Sequence, residues 1–217
     1  METGTRLIVA HEATSQGFGR DQPAPMTKAA KTALGRKDLH AAADKGCFSS
    51  AGILACHTVG NTTAVPRPEA SGNRSKGMFV KAGFACGASK DVYHCPASQV
   101  RSYRYTREEN GRPIRRYWTG RCGHCPIKRR GTTGEERMIS RWEHAPLIDQ
   151  MLPRLGGAHD PMKPRRSTVE YSFGTIKAWM GMAHFLTRRF KCVRTEMALN
   201  VLACNMKRMI ALTGVAG

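Results

Sequence analysis

Apolar positions cluster in short blocks at the two ends of the chain and thin out in the middle. Near the start, residues 7–10 form an apolar run of strand length. Residues 21–34 carry helix-forming side chains behind an acidic start. Residues 39–43 are again apolar and end at Asp44-Lys45-Gly46. Ser49 or Ser50 is placed to cap a helix over 51–59, which Gly60 would stop. A β-rich run at 62–65 stops at Pro66. This strand–helix–strand–helix–strand order predicts a mixed or parallel sheet with helices packed on it. Toward the other end the pattern predicts helices over 143–155, 165–180 and 193–212. In the last of these Leu199, Leu202, Met206, Met209 and Ile210 share one face, which reads as a core stripe. Between the two blocks, Tyr103/Tyr105 and Arg115/Tyr117 alternate as strands do, with Asn110-Gly111 as the turn of a hairpin.

Charge separates the middle from the ends. The 217 residues hold 35 Lys and Arg against 16 Asp and Glu, a formal net charge of +19. Residues 1–68 carry 8 basic and 5 acidic groups, 69–133 carry 14 and 4, and 134–217 carry 13 and 7. The middle is thus a distinct basic segment, bounded by Pro66, Pro68 and Gly72 on one side and Gly131 and Gly134 on the other. Three parts are expected: 1–68, 69–140 and 141–217. No apolar run approaches the roughly 18 residues that span a bilayer, and Met1 to Arg6 does not read as a signal peptide. The expectation is a cytoplasmic protein with no membrane partner, drawn to a polyanion and most simply to nucleic acid.

Eight cysteines at 47, 56, 86, 95, 122, 125, 192 and 204 are expected as reduced thiols in that compartment. Cys47, Cys56, Cys192 and Cys204 lie in apolar or helical contexts and read as small buried hydrophobes. Cys122 and Cys125 form a C-x-x-C pair, with Cys95 upstream and His94 and His124 alongside. Three thiols resemble part of a structural zinc knuckle, which needs a fourth ligand from Cys86 or a histidine. Free thiols are the other reading.

Two further groups of residues could carry chemistry. Asp44 ends an apolar strand ahead of a glycine, the place where open α/β sheets present site residues, although turn formation alone explains an Asp there. Arg166, Glu170 and Lys177 are spaced by 4 and 7 and would share one helical face. Read as surface residues they make an ordinary ion pair. Read as a site, Glu170 joins Asp44 and a third carboxylate in holding a divalent metal while Arg166 and Lys177 face phosphates. In residues 101–130, ten Arg and Lys stand against two Glu, interleaved with Tyr103, Tyr105, Tyr117 and Trp118. Arg115 and Arg116 lead the candidates for DNA contact, since arginine beside aromatics suits phosphate binding plus stacking.

Several stretches together resemble a known family. They are "LIVAHEATSQG" at 7–17, "ADKGCFSSAGILAC" at 43–56, "VYHCPA" at 92–97, "RRYWTGRCGHCPIK" at 115–128 and "RWEHAPLID" at 141–149. The most specific is "RRSTVEYSFGTIKAWMG" at 165–181, continuing through residue 210. The chain is similar to the C-terminal part of bacterial insertion-sequence transposases of the DDE class, in the subgroup with a cysteine-bearing insertion. The resemblance implies an α/β chain. It would hold an incomplete RNase H-like core, a mixed sheet with flanking helices, interrupted by a basic, cysteine-containing β-rich insertion. It also implies paired Mg²⁺ ions for DNA strand cleavage and transfer, held by three carboxylates. Asp44 falls on the second of these and Glu170 on the third, with Arg166 and Lys177 on the basic members of the Glu signature.

The first family Asp belongs to a strand upstream of the matching segment, and Glu2 is a poor substitute for it. Other departures are Lys163 for a usual Tyr, Cys47 for Tyr, Gly131 for a further Cys, and Tyr171-Ser172 for His-Pro. Pro164 enters beside the Glu-bearing helix, tolerable in a first turn.

The expectation is therefore a truncated transposase, inactive alone. Its partners would be transposon ends and target DNA, itself, or a full-length relative, in the bacterial cytoplasm and nucleoid. A non-catalytic DNA-binding remnant and a zinc-structured nucleic-acid module are the alternatives.

Overall fold

The computed structural model describes residues 1–68, 72–179, 181 and 184–214. The expected boundary at Glu69 and the expected helix end at Met180 lie outside the described residues. The chain divides into two compact units, one formed by residues 1–68 and 147–217, the other by 69–146.

In the first unit the helix α1 (Pro23–Leu34) opens with a proline in its first turn. There the missing N–H has no partner to lose. It closes on Gly35, whose left-handed backbone (φ 61°) lets its N–H reach back to the carbonyls of Lys31 and Thr32. The strands β1 (Leu39–Ala42) and β2 (Asn61–Ala64) pair in parallel, from Leu39 opposite Asn61 to Ala42 opposite Ala64. Between them α2 (Ser50–Thr58) starts at Ser49, whose hydroxyl accepts from the Gly52 N–H at 3.3 Å. The two strands are the whole of this sheet among the described residues.

The expected strand at 7–10 does not form. The Asn205 side chain instead takes both backbone groups of Ile8, accepting from its N–H at 2.9 Å and donating to its carbonyl at 3.0 Å. An amide side chain thus satisfies what a neighbouring strand would have satisfied.

Asn205 lies on the long helix α6 (Phe190–Thr213), and it fixes which way that helix turns. Val201 and Cys204 face inward, and Arg208 donates to the Thr5 carbonyl at 2.8 Å. The stripe expected in the core points outward: Leu199, Leu202, Met206, Met209 and Ile210 are 46–61% exposed. Cys192 is exposed too, and Cys47 is half-buried, while Cys56 and Cys204 are buried as expected. All eight cysteines are free thiols.

The second unit is an antiparallel five-stranded sheet in the order β3-β4-β5-β6-β7: Ala85–Gly87, Val92–His94, Val100–Glu109, Arg112–Trp118 and Ile139–Trp142. A short helix, α3 (Lys128–Gly131), lies between β6 and β7, and after β7 the helix expected over 143–155 forms as the shorter α4 (Ala145–Met151), continued by a 3-10 turn at Leu152–Arg154. Asn110 (φ 52°) and Gly111 (φ 69°) join β5 to β6 in a two-residue turn that sets Glu109 opposite Arg112. Positive φ at both positions suits Asn-Gly and matches strand twist.

The core here is one cluster, Phe84, Tyr93, Cys95, Tyr117 and Ile139, with Phe79 and Ala97 against it. Tyr117 is fully buried at its centre. Its ring meets Tyr93 edge-on at 5.1 Å and Tyr103 at 5.9 Å. Its hydroxyl donates to Asp91 at 2.8 Å. Burial first, and that hydrogen bond second, push the phenol up to about 12.

A phenol held neutral in the fold stabilises the folded state fully below the ordinary tyrosine value near 10. That contribution is lost as pH rises from there toward about 12. Urea titrations between neutral pH and pH 12, followed by circular dichroism, should show this alkaline loss. Tyr117→Phe should abolish its steepest part, at a cost of about 1 kcal/mol at neutral pH for the lost hydrogen bond.

Candidate nucleic-acid interface and carboxylate centre

The hairpin β5–β6 outgrows the sheet that carries it. β4 pairs with β5 only at residues 100–102, and β7 pairs with β6 only at 114–117. Every β5 residue from Ser102 to Glu108 is exposed. Arg104, Arg107 and Arg112 are all exposed along this projecting part. The Arg104 guanidinium lies 5.5 Å from the Trp118 ring centre, and Tyr105 meets the same ring edge-on at 5.7 Å. Tyr103 and Tyr105 are each more than two-fifths exposed. Tyr103 lies on the other face, against Tyr117 and Arg115, whereas Tyr105, Trp118 and the Arg104 guanidinium share one surface, as strand-binding nucleic-acid surfaces require.

The two arginines singled out from sequence are engaged within the protein. Arg115 pairs with Asp91 at 3.1 Å and lies over the Tyr103 ring. Arg116 is bound by both Glu109 and Ser140. Asp91 and Ser140 are far away in sequence, so nothing in the local pattern announces these partners. Nothing in the sequence sets Arg104, Arg107 and Arg112 apart from the other positive charges of residues 101–130.

Arg101 differs again. It is 4% exposed, donates to the Arg137 carbonyl at 2.6 Å, and reaches the Cys122 sulfur at 3.6 Å. It belongs to a pocket of about 20 Å³ whose lining includes Cys95, Cys122 and Cys125. The three expected zinc ligands line this pocket but do not stand together as a metal-holding group.

In the first unit Asp44 follows β1, where Ala43 N–H still bonds the Ala64 carbonyl at 3.0 Å. The Asp44 carboxylate accepts from Arg165 at 2.6 Å. Arg165 opens the helix α5 (Met162–Gly174), whose first turn includes Pro164 without breaking it. Glu170, on the same helix, and Arg166 are both exposed. A π-helical turn, Thr175–Trp179, follows directly. Its wider winding carries Lys177 part of the way off the face that a seven-residue α-helical spacing predicts. The arginine beside Asp44 is therefore Arg165 and not Arg166, one residue away in the Arg-Arg pair. Glu2 closes a local turn instead of joining these residues. Its carboxylate accepts from the N–H groups of Gly4 and Thr5 and from the Thr5 hydroxyl. These bonds hold it at about 2.

A family model described as "Transposase DDE domain" matches residues 94–210, more than half of the 217 residues. The chain is a member of the DDE transposase family. The matched span includes Arg166, Glu170, Lys177 and the three pocket cysteines; Asp44 precedes it. No curated protein and no solved structure matches the chain.

DDE transposases typically use a divalent metal. The carboxylates here do not form such a centre: among the described residues no three His, Cys, Asp or Glu side chains stand together as a metal-holding group. Asp44 is moreover neutralised by Arg165. No helix among the described residues is long and apolar enough to cross a membrane.

The Asp44–Arg165 pair is open to water on the Asp side, so its contribution to folding is small. Asp44→Ala should change unfolding free energy by no more than about 1 kcal/mol, measured by denaturant melts.

Proposed function

We propose that this transposase-family chain binds DNA through the β5–β6 hairpin and does not cleave DNA by itself. The observation that carries the reading is the projecting strand pair with Arg104, Arg107 and Arg112 exposed and with Tyr105 and Trp118 beside Arg104. Guanidinium groups neutralise phosphates along the backbone, while the rings offer stacking surfaces that any base can use. Binding of this kind is strong at low salt, weak in sequence preference and set by the number of phosphates covered.

Arg115 and Arg116 act differently in this reading. Each holds the hairpin in register through an acidic partner, so their role in DNA binding is to position the exposed cations. Arg166 and Lys177, exposed on the first unit, are further candidates for phosphate contact.

Inactivity rests on the carboxylates. Strand cleavage by a two-metal route needs several oxygen ligands converging on the ions. Asp44 and Glu170 do not supply a third partner among the described residues, and the nearest cation to Asp44 is a guanidinium. A chain that binds without cutting would compete with an active relative for the same DNA.

Two measurements test this. Fluorescence anisotropy with duplex and single-stranded DNA should give affinity that falls with salt, with a log–log slope of about −3 or steeper. Arg104→Ala, Arg107→Ala and Arg112→Ala should each lower that slope by about 1, and Asp44→Ala should leave it unchanged. Binding absent at low salt overturns the DNA reading. Separately, incubation with supercoiled DNA and Mg²⁺ or Mn²⁺ should yield no nicked product. Nicking that disappears in Glu170→Ala would show that the carboxylates work after all.

A further inference from the structure

The small pocket of the second unit is lined by cations and by no acid. Arg101 stands near the start of β5, Lys128 opens α3 and Arg137 lies just ahead of β7, yet all three line one cavity. No Asp or Glu does. Its volume of about 20 Å³ is close to that of a single bound water.

The two arginines are held by neutral groups. Arg101 is 4% exposed and donates to the Arg137 carbonyl at 2.6 Å and to the Cys122 sulfur at 3.6 Å. In the amide orientation that satisfies both groups, the Asn73 oxygen accepts from the two terminal nitrogens of Arg137 at 3.1 and 3.0 Å. The Nε atoms of both arginines are buried without a partner. Both guanidinium groups also flank one ring, Phe84, at 5.3 and 5.7 Å, so two like charges stand close together. Burial first, and the Arg101 charge second, lower the Arg137 guanidinium from its ordinary value.

We propose that this cavity binds one monovalent anion of chloride size, held between Arg101 and Arg137. A buried cation needs a counter-charge or a full set of hydrogen bonds, and the lining gives neither. A water accepts from an Nε–H but brings no charge. A phosphate brings charge but has five heavy atoms, against room for one. The three thiols suit an anion as well, since a neutral S–H is a weak donor. Phe79, Phe84 and Ile127 add apolar wall, and low polarity strengthens the attraction between unlike charges. An anion here ties the start of β5 to the chain entering β7. The proposal does not rest on the DNA-binding reading, whose cations lie on the projecting hairpin.

Gly131 makes it testable by gain. It lines the same cavity, and a Cβ added there meets nothing within 4 Å. Gly131→Asp brings a carboxylate to the cavity, and Gly131→Asn is its uncharged match.

The experiment uses the whole chain, with chloride as the probe and gluconate replacing it at constant ionic strength. Chloride should give a saturable broadening of its own NMR line. At about ten times its Kd it should lower the unfolding equilibrium constant in urea about tenfold. Arg137→Gln should lose both effects, and Arg129→Ala, at an exposed cation outside the lining, should keep them. Because Arg137→Gln can fail by misfolding, the Gly131 pair carries equal weight. In gluconate Gly131→Asp should be more stable than Gly131→Asn, and chloride should no longer stabilise it. Wild-type unfolding that is the same in chloride and gluconate means that the cavity holds water alone and overturns the proposal. So does Gly131→Asp no more stable in gluconate than Gly131→Asn.

Discussion

The register of β5 against β6 is the constraint on which the second unit depends. Two residues, Asn110 and Gly111, set it from Glu109 opposite Arg112 to Tyr105 opposite Arg116, and a bulge between Tyr103 and Tyr105 shifts it by one residue from there on, so that Tyr103 stands opposite Tyr117. Side chains alternate along a strand, so a slip of one residue would exchange the two faces of the hairpin. In the observed register Tyr117 falls into the cluster with Tyr93 and Ile139, and its hydroxyl finds Asp91. Arg115 and Arg116 fall to either side, against Asp91 and Glu109. The same register sends Arg101, at the start of β5, to the Cys122 sulfur just beyond β6. The turn and the bulge together therefore govern the core, the exposed cations and the cysteine pocket.

Much of this was legible in the sequence. Asn-Gly between alternating runs predicts the hairpin, and Ser49 ahead of an apolar stretch predicts the start of α2. These signals are local, and the residues that create the structure are the ones that announce it. What was not legible depended on a distant partner. Ile8 reads as part of a strand until Asn205, 197 residues away, takes its backbone groups. α6 reads as a helix with an apolar stripe, but periodicity says only that such a stripe exists. Asn205 and Arg208 tie the opposite face to residues 5–8, and this turns Leu199, Leu202 and Met206 outward.

The candidate site shows the same division. Glu170 and its flanking cations can be picked out by spacing, but spacing assumes an unbroken α-helix. The π-helical turn at Thr175–Trp179 breaks that assumption for Lys177. Asp44 can be picked out as a strand-end carboxylate, but its partner is Arg165, the neighbour of the residue that the family pattern favours. A shift of one position on a helix is about 100° of rotation, enough to move one arginine onto Asp44 and leave the next in solvent.

Charge, finally, is a weaker guide to DNA affinity than its total suggests. Of the arginines on the two hairpin strands, Arg101 is buried, and Arg115 and Arg116 are committed to acidic partners. These three hold the hairpin in shape. Arg104, Arg107 and Arg112 remain exposed, and in the proposed DNA reading the phosphates that such exposed cations cover, not the formal +19, set the electrostatic part of binding. The distinction follows from cost. A guanidinium held by a carboxylate has already given up much of its hydration and must break that pair to meet a phosphate, whereas an exposed one exchanges only water and mobile counterions. A basic hairpin of this kind thus has two populations of arginine, one that builds the surface and one that the surface presents.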